Sequence, residues 1–390
     1  TLLFIISVVQ VAAIFCVYLK ARLGRYKGPV SLYIVLMFSH KVKMSVQGLG
    51  KKIKGSLLGA LVGDCIGAPF EGEESKVAIS VLKSYFTKLK DSSVTLPFHS
   101  YTDDTAMTTA LAESILAQEG FQAIPVAKKF TASYFRDPRR GYGKNVVTVF
   151  QKLKSTKFND PFLPAKEQFN GTGSYGNGAA MRIAPIALFY HNNQDNMLEY
   201  TKLAALITHS HPEGVLGAIL QGLAISEALR VKTGELDVNS YLDVLTEKIS
   251  AIERTYIAAE DDEVILTFTE KLKRLKSLLE KPLETAEDDV LEYLGNDISA
   301  AGSVPTAIYS FARSEMGRGL CGDQVENSFE EAIKLSIRLG GDTDTIASMA
   351  GAISGAYHGE DIINKTLLSR CEDHDKLARL AADLADRMPS

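Results

Sequence analysis

Apolar residues recur along most of this chain at the three- and four-residue spacing that gathers them on one face of a helix. Between Thr105 and Ala117, the residues Met107, Ala110, Leu111, Ser114 and Ile115 share such a face. Ile53–Val62, Asn196–Ile207 and Val215–Leu229 repeat the pattern, and Phe329–Leu339 leads into a further helix over Thr345–Tyr357. In that last segment Ala347, Gly351, Ala352, Gly355 and Ala356 form a face of very small residues. A glycine costs a helix about 0.5–1 kcal/mol relative to alanine, so two on one face predict close helix packing in a crowded centre. Lys271–Leu294 is rich in charge and predicts a solvated helix and connector, and Glu260–Glu263 reads as an acidic loop. No run of short alternating strands and no repeat of fixed period appears. The predicted fold class is all-α, from about Met44 to the C-terminus.

The N-terminal region follows a different pattern. Thr1 to Leu19 is nearly all apolar and is followed by Lys20, Arg22, Arg25 and Lys27, which by length and charge is the pattern of a membrane anchor. A second apolar run, Val30–Ser39, is too short to span. The opening Thr and the ordinary soluble start Met44-Ser-Val-Gln-Gly-Leu-Gly-Lys-Lys52 favour another reading: residues 1–43 as upstream or targeting sequence, and 44–390 as the folded domain.

With 390 residues, 46% of them hydrophobic, the chain can bury a sizeable core. A formal net charge of −4 argues against a general nucleic-acid binder. Residues 1–43 hold six Lys or Arg and no Asp or Glu, so without them the body carries −10. An acidic body that binds an anion needs a device to do so, and bound divalent cations are one. The cysteines Cys16, Cys65, Cys321 and Cys371 show no zinc-like spacing and are too few for a disulfide scaffold, so a reducing compartment is expected.

Two segments concentrate the candidate chemistry. Tyr101-Thr-Asp-Asp-Thr105 and Gly340-Gly-Asp-Thr-Asp-Thr345 each put two carboxylates and two hydroxyls just before a predicted helix. Helix capping accounts for one such residue per segment. It does not account for four oxygen-bearing side chains in a row, because adjacent carboxylates repel unless a cation lies between them. Mg²⁺ takes octahedral oxygen ligands of these kinds. If the segments converge, they can hold two ions about 3.5–4 Å apart, a common hydrolytic arrangement.

Three further stretches stand out. In Gly63-Asp-Cys-Ile-Gly-Ala-Pro-Phe-Glu71, Gly67 and Pro69 break the helix and leave Glu71 on a loop, while Asp64 is either a further ligand or a buried cap. Phe169-Asn-Gly-Thr-Gly-Ser-Tyr-Gly-Asn-Gly178 carries four glycines between Gly171 and Gly178. Its backbone N–H groups can form a nest for phosphate oxygens, and Phe169 and Tyr175 offer faces to a base. It is neither a P-loop nor a dinucleotide fingerprint. Thr208-His-Ser-His211 lacks a third soft ligand, so zinc is disfavoured against one ligand-contacting histidine or a satisfied one at a helix end.

Taken in order, Gly55-Ser-Leu-Leu-Gly-Ala-Leu-Val-Gly-Asp64, Tyr101-Thr-Asp-Asp-Thr-Ala-Met107, Gly173-Ser-Tyr-Gly-Asn-Gly-Ala-Ala-Met-Arg182 and Gly340–Thr345 resemble the ADP-ribosylglycohydrolase family. Asp137-Pro-Arg-Arg-Gly-Tyr-Gly143, Val146–Leu153 and Ser303-Val-Pro-Thr-Ala-Ile-Tyr309 resemble its ADP-ribosylhydrolase 3 type branch, which acts on serine-linked ADP-ribose. The likeness spans roughly Lys52 to Glu372.

The resemblance implies an orthogonal multi-helix bundle with two Mg²⁺ ions per chain. It implies hydrolysis of the O-glycosidic bond between ADP-ribose and serine, with poly(ADP-ribose) and O-acetyl-ADP-ribose as further substrates. Carried over, Glu71, Thr102, Asp103, Asp104, Asp342, Asp344 and Thr345 would hold metal. Glu71, Asp342 and Asp344 would serve catalysis, with Glu71 on a flap that closes over the site. Ser174, Tyr175, Gly176, Asn177 and Gly178 would cradle pyrophosphate and adenosine and Phe169 the adenine, while Asp103, Gly141, Thr172, Gly173, His209 and Ile298 would also contact substrate. The expected partners are serine-ADP-ribosylated proteins and poly(ADP-ribose), with no direct nucleic-acid binding and no membrane unless the N-terminal segment is a real anchor. A monomer in nucleus, cytoplasm and mitochondrial matrix, with a part in DNA damage repair, is also implied.

Two positions depart from the pattern. Thr172 stands where relatives often carry Lys, removing one phosphate contact, and Asp297 stands where they tend to have Gly, adding a negative charge if it faces the site. Three other readings compete: an arginine-specific branch, a non-catalytic ADP-ribose-binding or crystallin-like member, and a metal-dependent phosphohydrolase that would release AMP.

Overall fold

In a computed structural model the described residues are 30–72, 76–257, 267–320 and 325–388, with side chains described from residue 48 onward. The proposed anchor, the acidic Glu260–Glu263 patch, Cys16 and Cys321 lie outside them.

The organising element is α1 (Val30–Gly67), which runs through the candidate boundary at Met44 without a break. Its described part is almost wholly buried from Ile53 to Ile66. The stretch Gly48–Phe70 is long and apolar enough to cross a membrane, but 78% of that window is buried inside the protein. It is a core helix, apolar because neighbours surround it.

Around it the chain lays down α2 (Ile79–Lys90), α3 (Asp103–Ala117), α4 (Ala123–Arg136), α5 (Lys144–Ser155), α6 (Ala184–Phe189), α7 (Gln194–Leu206) and α8 (Pro212–Arg230). It continues with α9 (Val238–Ile257), α10 (Thr267–Leu279), α11 (Leu283–Tyr293), α12 (Ala300–Glu315), α13 (Ser328–Arg338), α14 (Thr343–His358) and α15 (His374–Asp386). Among the described residues the only β pairings are two isolated bridges, His99 with Cys371 and Gly176 with Ser299. The fold is all-α.

The most extensive helix contact is between α1 and α14, and glycine makes it possible. A Cβ on Gly55 would fall 2.5 Å from the Gly355 carbonyl oxygen, and one on Gly59 would press still closer on the Gly351 carbonyl. Backbones therefore touch along the small-residue face that the sequence marked out. Ser56 Oγ donates to the Ala352 carbonyl at 2.9 Å across this seam, and Gln221 of α8 donates to the Met349 carbonyl from the other side.

Two expectations need correction. The helix expected over Thr105–Ala117 starts at Asp103 and is buried on nearly every side, so it is a core helix rather than an amphipathic one. Lys271–Leu294 forms parts of two helices, with Leu272, Leu275, Leu278, Leu279, Leu283 and Val290 buried against the core. Their charged outer faces dominate composition and hide an apolar stripe of helical period.

Candidate active site

The two acidic segments occupy adjacent helix N-termini, and the break after α1 faces them. Asp64, in the last turn of α1, is fully buried. Its carboxylate accepts the Thr102 N–H at 2.9 Å and the Thr105 N–H at 3.0 Å. It is thus the buried cap, holding the start of α3 against α1. Thr102 is the N-cap residue proper, and its hydroxyl accepts the Asp104 N–H at 3.3 Å.

At the second segment, Gly340 and Gly341 both have positive φ, 71° and 73°, a conformation that glycine tolerates and L side chains rarely adopt. The turn is fixed by Asn296, whose carbonyl accepts the Asp342 N–H at 2.8 Å and whose amide donates to the Leu339 carbonyl at 2.9 Å. Thr343 Oγ1 donates to the Gly67 carbonyl at 2.9 Å, tying this turn to the end of α1.

The two segments converge. Asp104 Oδ2 accepts both the Thr102 hydroxyl at 3.2 Å and the Thr345 hydroxyl at 3.3 Å. Glu71 follows the short 3₁₀ turn Ala68–Phe70, and Gly72 N–H donates to the Gly341 carbonyl at 3.0 Å, which draws this loop onto the second segment. One carboxylate oxygen each of Glu71, Asp342 and Asp344 lie within 4.8 Å of one another. Gly141 (φ +82°) comes close to the other cluster: a Cβ there would stand 3.6 Å from Asp103 Oδ1.

Crowded carboxylates resist ionisation. Burial, then the charge of Asp64, pushes Asp103 up to about 8. Burial, then Asp342, pushes Asp344 up to about 10. Asp104 is raised well above the ordinary range, by burial first and then by Asp64 and Asp344. Glu71 is raised by burial and by Asp342. Asp104 Oδ1 and the Thr105 hydroxyl are buried with no hydrogen-bond partner. A hard divalent cation removes both the repulsion and the orphaned oxygen, so this oxygen-only donor set fits such an ion.

The glycine-rich loop lies beside the carboxylates. Asn177 is buried, and its side-chain amide donates to Asp342 Oδ2 at 2.5 Å. Its backbone N–H donates to the Ile298 carbonyl at 2.9 Å, and Ala300 N–H donates to the Tyr175 carbonyl at 3.0 Å. The loop is therefore stitched to the segment before α12. The nest expected of it is narrower than its glycines suggest, because the amides of Thr172, Gly173, Gly176 and Asn177 already bond to Phe169 O, Gln168 O, Ser174 Oγ and Ile298 O. Thr172 is exposed and its hydroxyl donates to the Phe169 carbonyl at 2.9 Å. Phe169, Tyr175 and Ile298 are all exposed, with 6.3 Å between the ring centroids of Phe169 and Tyr175, an open apolar rim for a base.

The two histidines separate. His209 is buried under the loop: a Cβ on Gly178 would fall 2.9 Å from its ring. Its Nδ1 shares a 2.7 Å hydrogen bond with the Thr208 hydroxyl. Burial, and next the charge of Arg182, lowers its pKa to about 3, so it is neutral. His211 is the N-cap of α8 and accepts the Glu213 N–H. Asp297 accepts the Ser299 N–H at 2.7 Å and packs against Gly302, and it also lines the cleft at Tyr175 and Ile298.

Three supporting groups escaped sequence reasoning. Arg140 lies 3.9 Å over the Tyr101 ring, donates to the Tyr101 carbonyl at 2.9 Å and grips both Glu372 carboxylate oxygens, fixing the approach to Thr102 and the loop of Gly141. Arg182 is fully buried and donates to the Gly178 carbonyl and Thr208 hydroxyl beneath the glycine loop. Asn296 is the third. Arg140 and Arg182 sit inside motifs already singled out, but nothing in the sequence names their partners.

Fold and site together define an all-helical protein with a carboxylate-lined, cation-fitting centre at paired helix N-termini beside a glycine-rich loop. A family profile described as ADP-ribosylglycohydrolase matches residues 45–390. ADP-ribosylhydrolase ARH3 of Homo sapiens is 41% identical over 342 residues, covering 85% of this chain and 92% of that protein. ADP-ribosylhydrolase ARH3 of Xenopus tropicalis is 43% identical over 317 residues, covering 80% and 88%. A solved structure titled "ADP-ribosylglycohydrolase-related protein complex" superposes with a TM-score of 0.63 at 24% identity, over 88% of this chain and 100% of that one, a likeness of fold alone. The chain belongs to the ADP-ribosylglycohydrolase family, as an ARH3-type member.

Proposed function

We propose that this chain is a Mg²⁺-dependent hydrolase that cleaves the O-glycosidic bond between ADP-ribose and serine on proteins and releases free ADP-ribose. Poly(ADP-ribose) and O-acetyl-ADP-ribose are the further substrates of this reading. The observation that carries it is the meeting of both acidic segments at Asp104, with an orphaned carboxylate oxygen, directly beside the Asn177 loop. Thr102, Asp103, Asp104, Asp342, Asp344, Thr345 and, when its loop rests on the aspartates, Glu71 are the residues to hold two Mg²⁺ ions. Bound there, divalent cations would supply a grip on ribose hydroxyls and a lowered pKa for water.

The chain's own groups do the rest. Ribosyl cleavage builds positive charge at the anomeric carbon, which the surrounding carboxylates favour. Asp342, or Asp344 if a bound cation brings its raised pKa down, accepts a proton from the attacking water, and Glu71, at the exposed lip, gives one to the departing serine oxygen. Asn177 orients Asp342 through its amide. The adenosine lies toward Phe169, Tyr175 and Ile298, and neutral His209 supports the loop from below. The serine linkage rests on the likeness of Asp137–Gly143 and Ser303–Tyr309 to that branch and on identity to the ARH3 proteins.

Product analysis tests this against phosphohydrolysis: intact ADP-ribose is expected, and AMP would overturn it. Replacing Glu71→Gln is expected to lower turnover about 10²–10⁴-fold while Mg²⁺ still stabilises the fold; undiminished turnover would remove Glu71 from the chemistry.

A further inference from the structure

Two depressions open on the surface beside the Tyr175–Ile298 rim. Tyr175 and Ile298 line a cleft of about 690 Å³ together with His211, Glu213, Lys271 and Asp297. A second depression of about 440 Å³, over α10 and the end of α11, is lined by Glu270, Lys271, Lys273, Arg274, Ser277 and Tyr293. Lys271 borders both, its Nζ donating to the Leu294 carbonyl at 2.8 Å, so the two lie side by side with this residue between them. Each is of a size that ordinarily holds a nucleotide-sized ligand.

The two parts differ in charge. In the first, burial lowers the pKa of Lys271, and the charges of Asp297 and Glu213 only partly offset it. Those carboxylates also accept the N–H groups of Ser299 and Ala301. The result is a floor with two carboxylates to one cation, rich in acceptors and suited to sugar hydroxyls. In the second, the Arg274 guanidinium lies 3.8 Å over the Tyr293 ring. Stacking fixes its plane and leaves the N–H edge available for two parallel bonds to a phosphate. Lys273, one residue before it, is paired at 2.7 Å with Glu270 of the same wall, which leaves Arg274 as its leading anion contact. A hydroxyl-favouring segment followed by an anion-favouring one matches the order ribose, then pyrophosphate.

We propose that this extension is a second subsite for an adjoining ADP-ribose unit of a polymer, one attached through the 2′-hydroxyl of the adenosine ribose held at Tyr175. Its ribose passes Asp297 and Glu213, and its pyrophosphate meets Arg274 and Lys273. The chain would then engage units inside a polymer as well as those at its end. This rests on the reading of the Tyr175–Ile298 rim as the adenosine end.

The test is binding, so it stands apart from hydrolysis. In full-length protein carrying Glu71→Gln to slow turnover, affinities are measured by calorimetry for free ADP-ribose, for a purified oligomer of several units, and for a heparin fragment of equal charge. The oligomer is expected to bind about tenfold tighter than the monomer, the worth of one charge-assisted bidentate contact. Adding Arg274→Glu is expected to erase that advantage and leave ADP-ribose unchanged, while Arg274→Lys keeps part of it. Equal affinity for oligomer and monomer, or equal weakening of both by Arg274→Glu, would overturn the subsite. So would heparin binding as tightly as the oligomer, which would make the wall a generic polyanion patch. No hydrolysis by the chain with Glu71 intact, alongside a preserved oligomer advantage in the Glu71→Gln protein, would instead count against the proposed reaction alone.

Discussion

The same two helices, α1 and α14, make two opposite kinds of contact. Along Gly55, Gly59 and Gly63 they meet backbone to backbone against Gly355, Gly351 and Ala347, with no charge and no space. A turn further on, at Asp64 and Gly67 against Thr343 and Asp344, the same pair opens into a crowd of carboxylates. The seam is steric and indifferent to pH and ions, whereas the site is electrostatic and sensitive to both. Placing them end to end gives the repelling groups a rigid mount, since a seam without side chains has no rotamers to yield. Charges that would otherwise push the helix ends apart are held where a cation can use them.

The comparison is broken hardest at the seam. Gly59→Val drives a branched side chain into the Gly351 carbonyl and is expected to destabilise the fold by about 3 kcal/mol or more, read by urea unfolding with and without Mg²⁺. A small loss would mean the seam gives way easily. At the junction, Asp64→Asn removes the charge and turns one of the two oxygens that accept the Thr102 and Thr105 amides into an NH₂ donor. It is expected to weaken Mg²⁺ binding about 10–100-fold while much of the stability persists; unaltered affinity would make Asp64 a fold residue only.

Next comes a pH test of the ground under the loop. Burial holds His209 near 3, below its unfolded value of 6.5, so its contribution is present above about pH 6.5 and is lost as pH falls toward 3. Wild type is therefore expected to lose about 2 kcal/mol more than His209→Gln between pH 7 and pH 5, while Gly59→Ala tracks wild type. Parallel curves for wild type and His209→Gln would show that His209 is solvated. The smallest effect is at the exposed rim: Thr172→Lys is expected to tighten ADP-ribose by about 1 kcal/mol or less, and to lose that gain in high salt. A gain that survives salt would mean a buried contact there.

Much of this was legible beforehand, and the parts that were not share a cause. The small residues of α14 announced the seam because side chains that small, repeated at helical spacing, suit a close approach of two backbones and little else. The Asp-rich segments announced themselves as helix starts with more oxygens than a cap requires. What sequence does not carry is who meets whom across the chain. That Asp104 and Thr345, or Arg140 and Glu372, bond at 241 and 232 residues' separation follows only from the packing of the helices between them. All-round burial of α3 was hidden for a related reason, since its Thr and Ser read as a polar face until other helices cover it. The amides consumed inside the glycine loop were hidden too, because glycine count does not say which way an N–H points.

The most direct measurement is hydrolysis of two peptides side by side, one ADP-ribosylated on serine and one on arginine, with Mg²⁺ and with EDTA. The account expects Mg²⁺-dependent release of ADP-ribose from the serine peptide alone. Release from arginine alone would keep the metal centre and overturn the substrate, and binding without release from either would contradict the reading of the acidic cluster as a catalytic site.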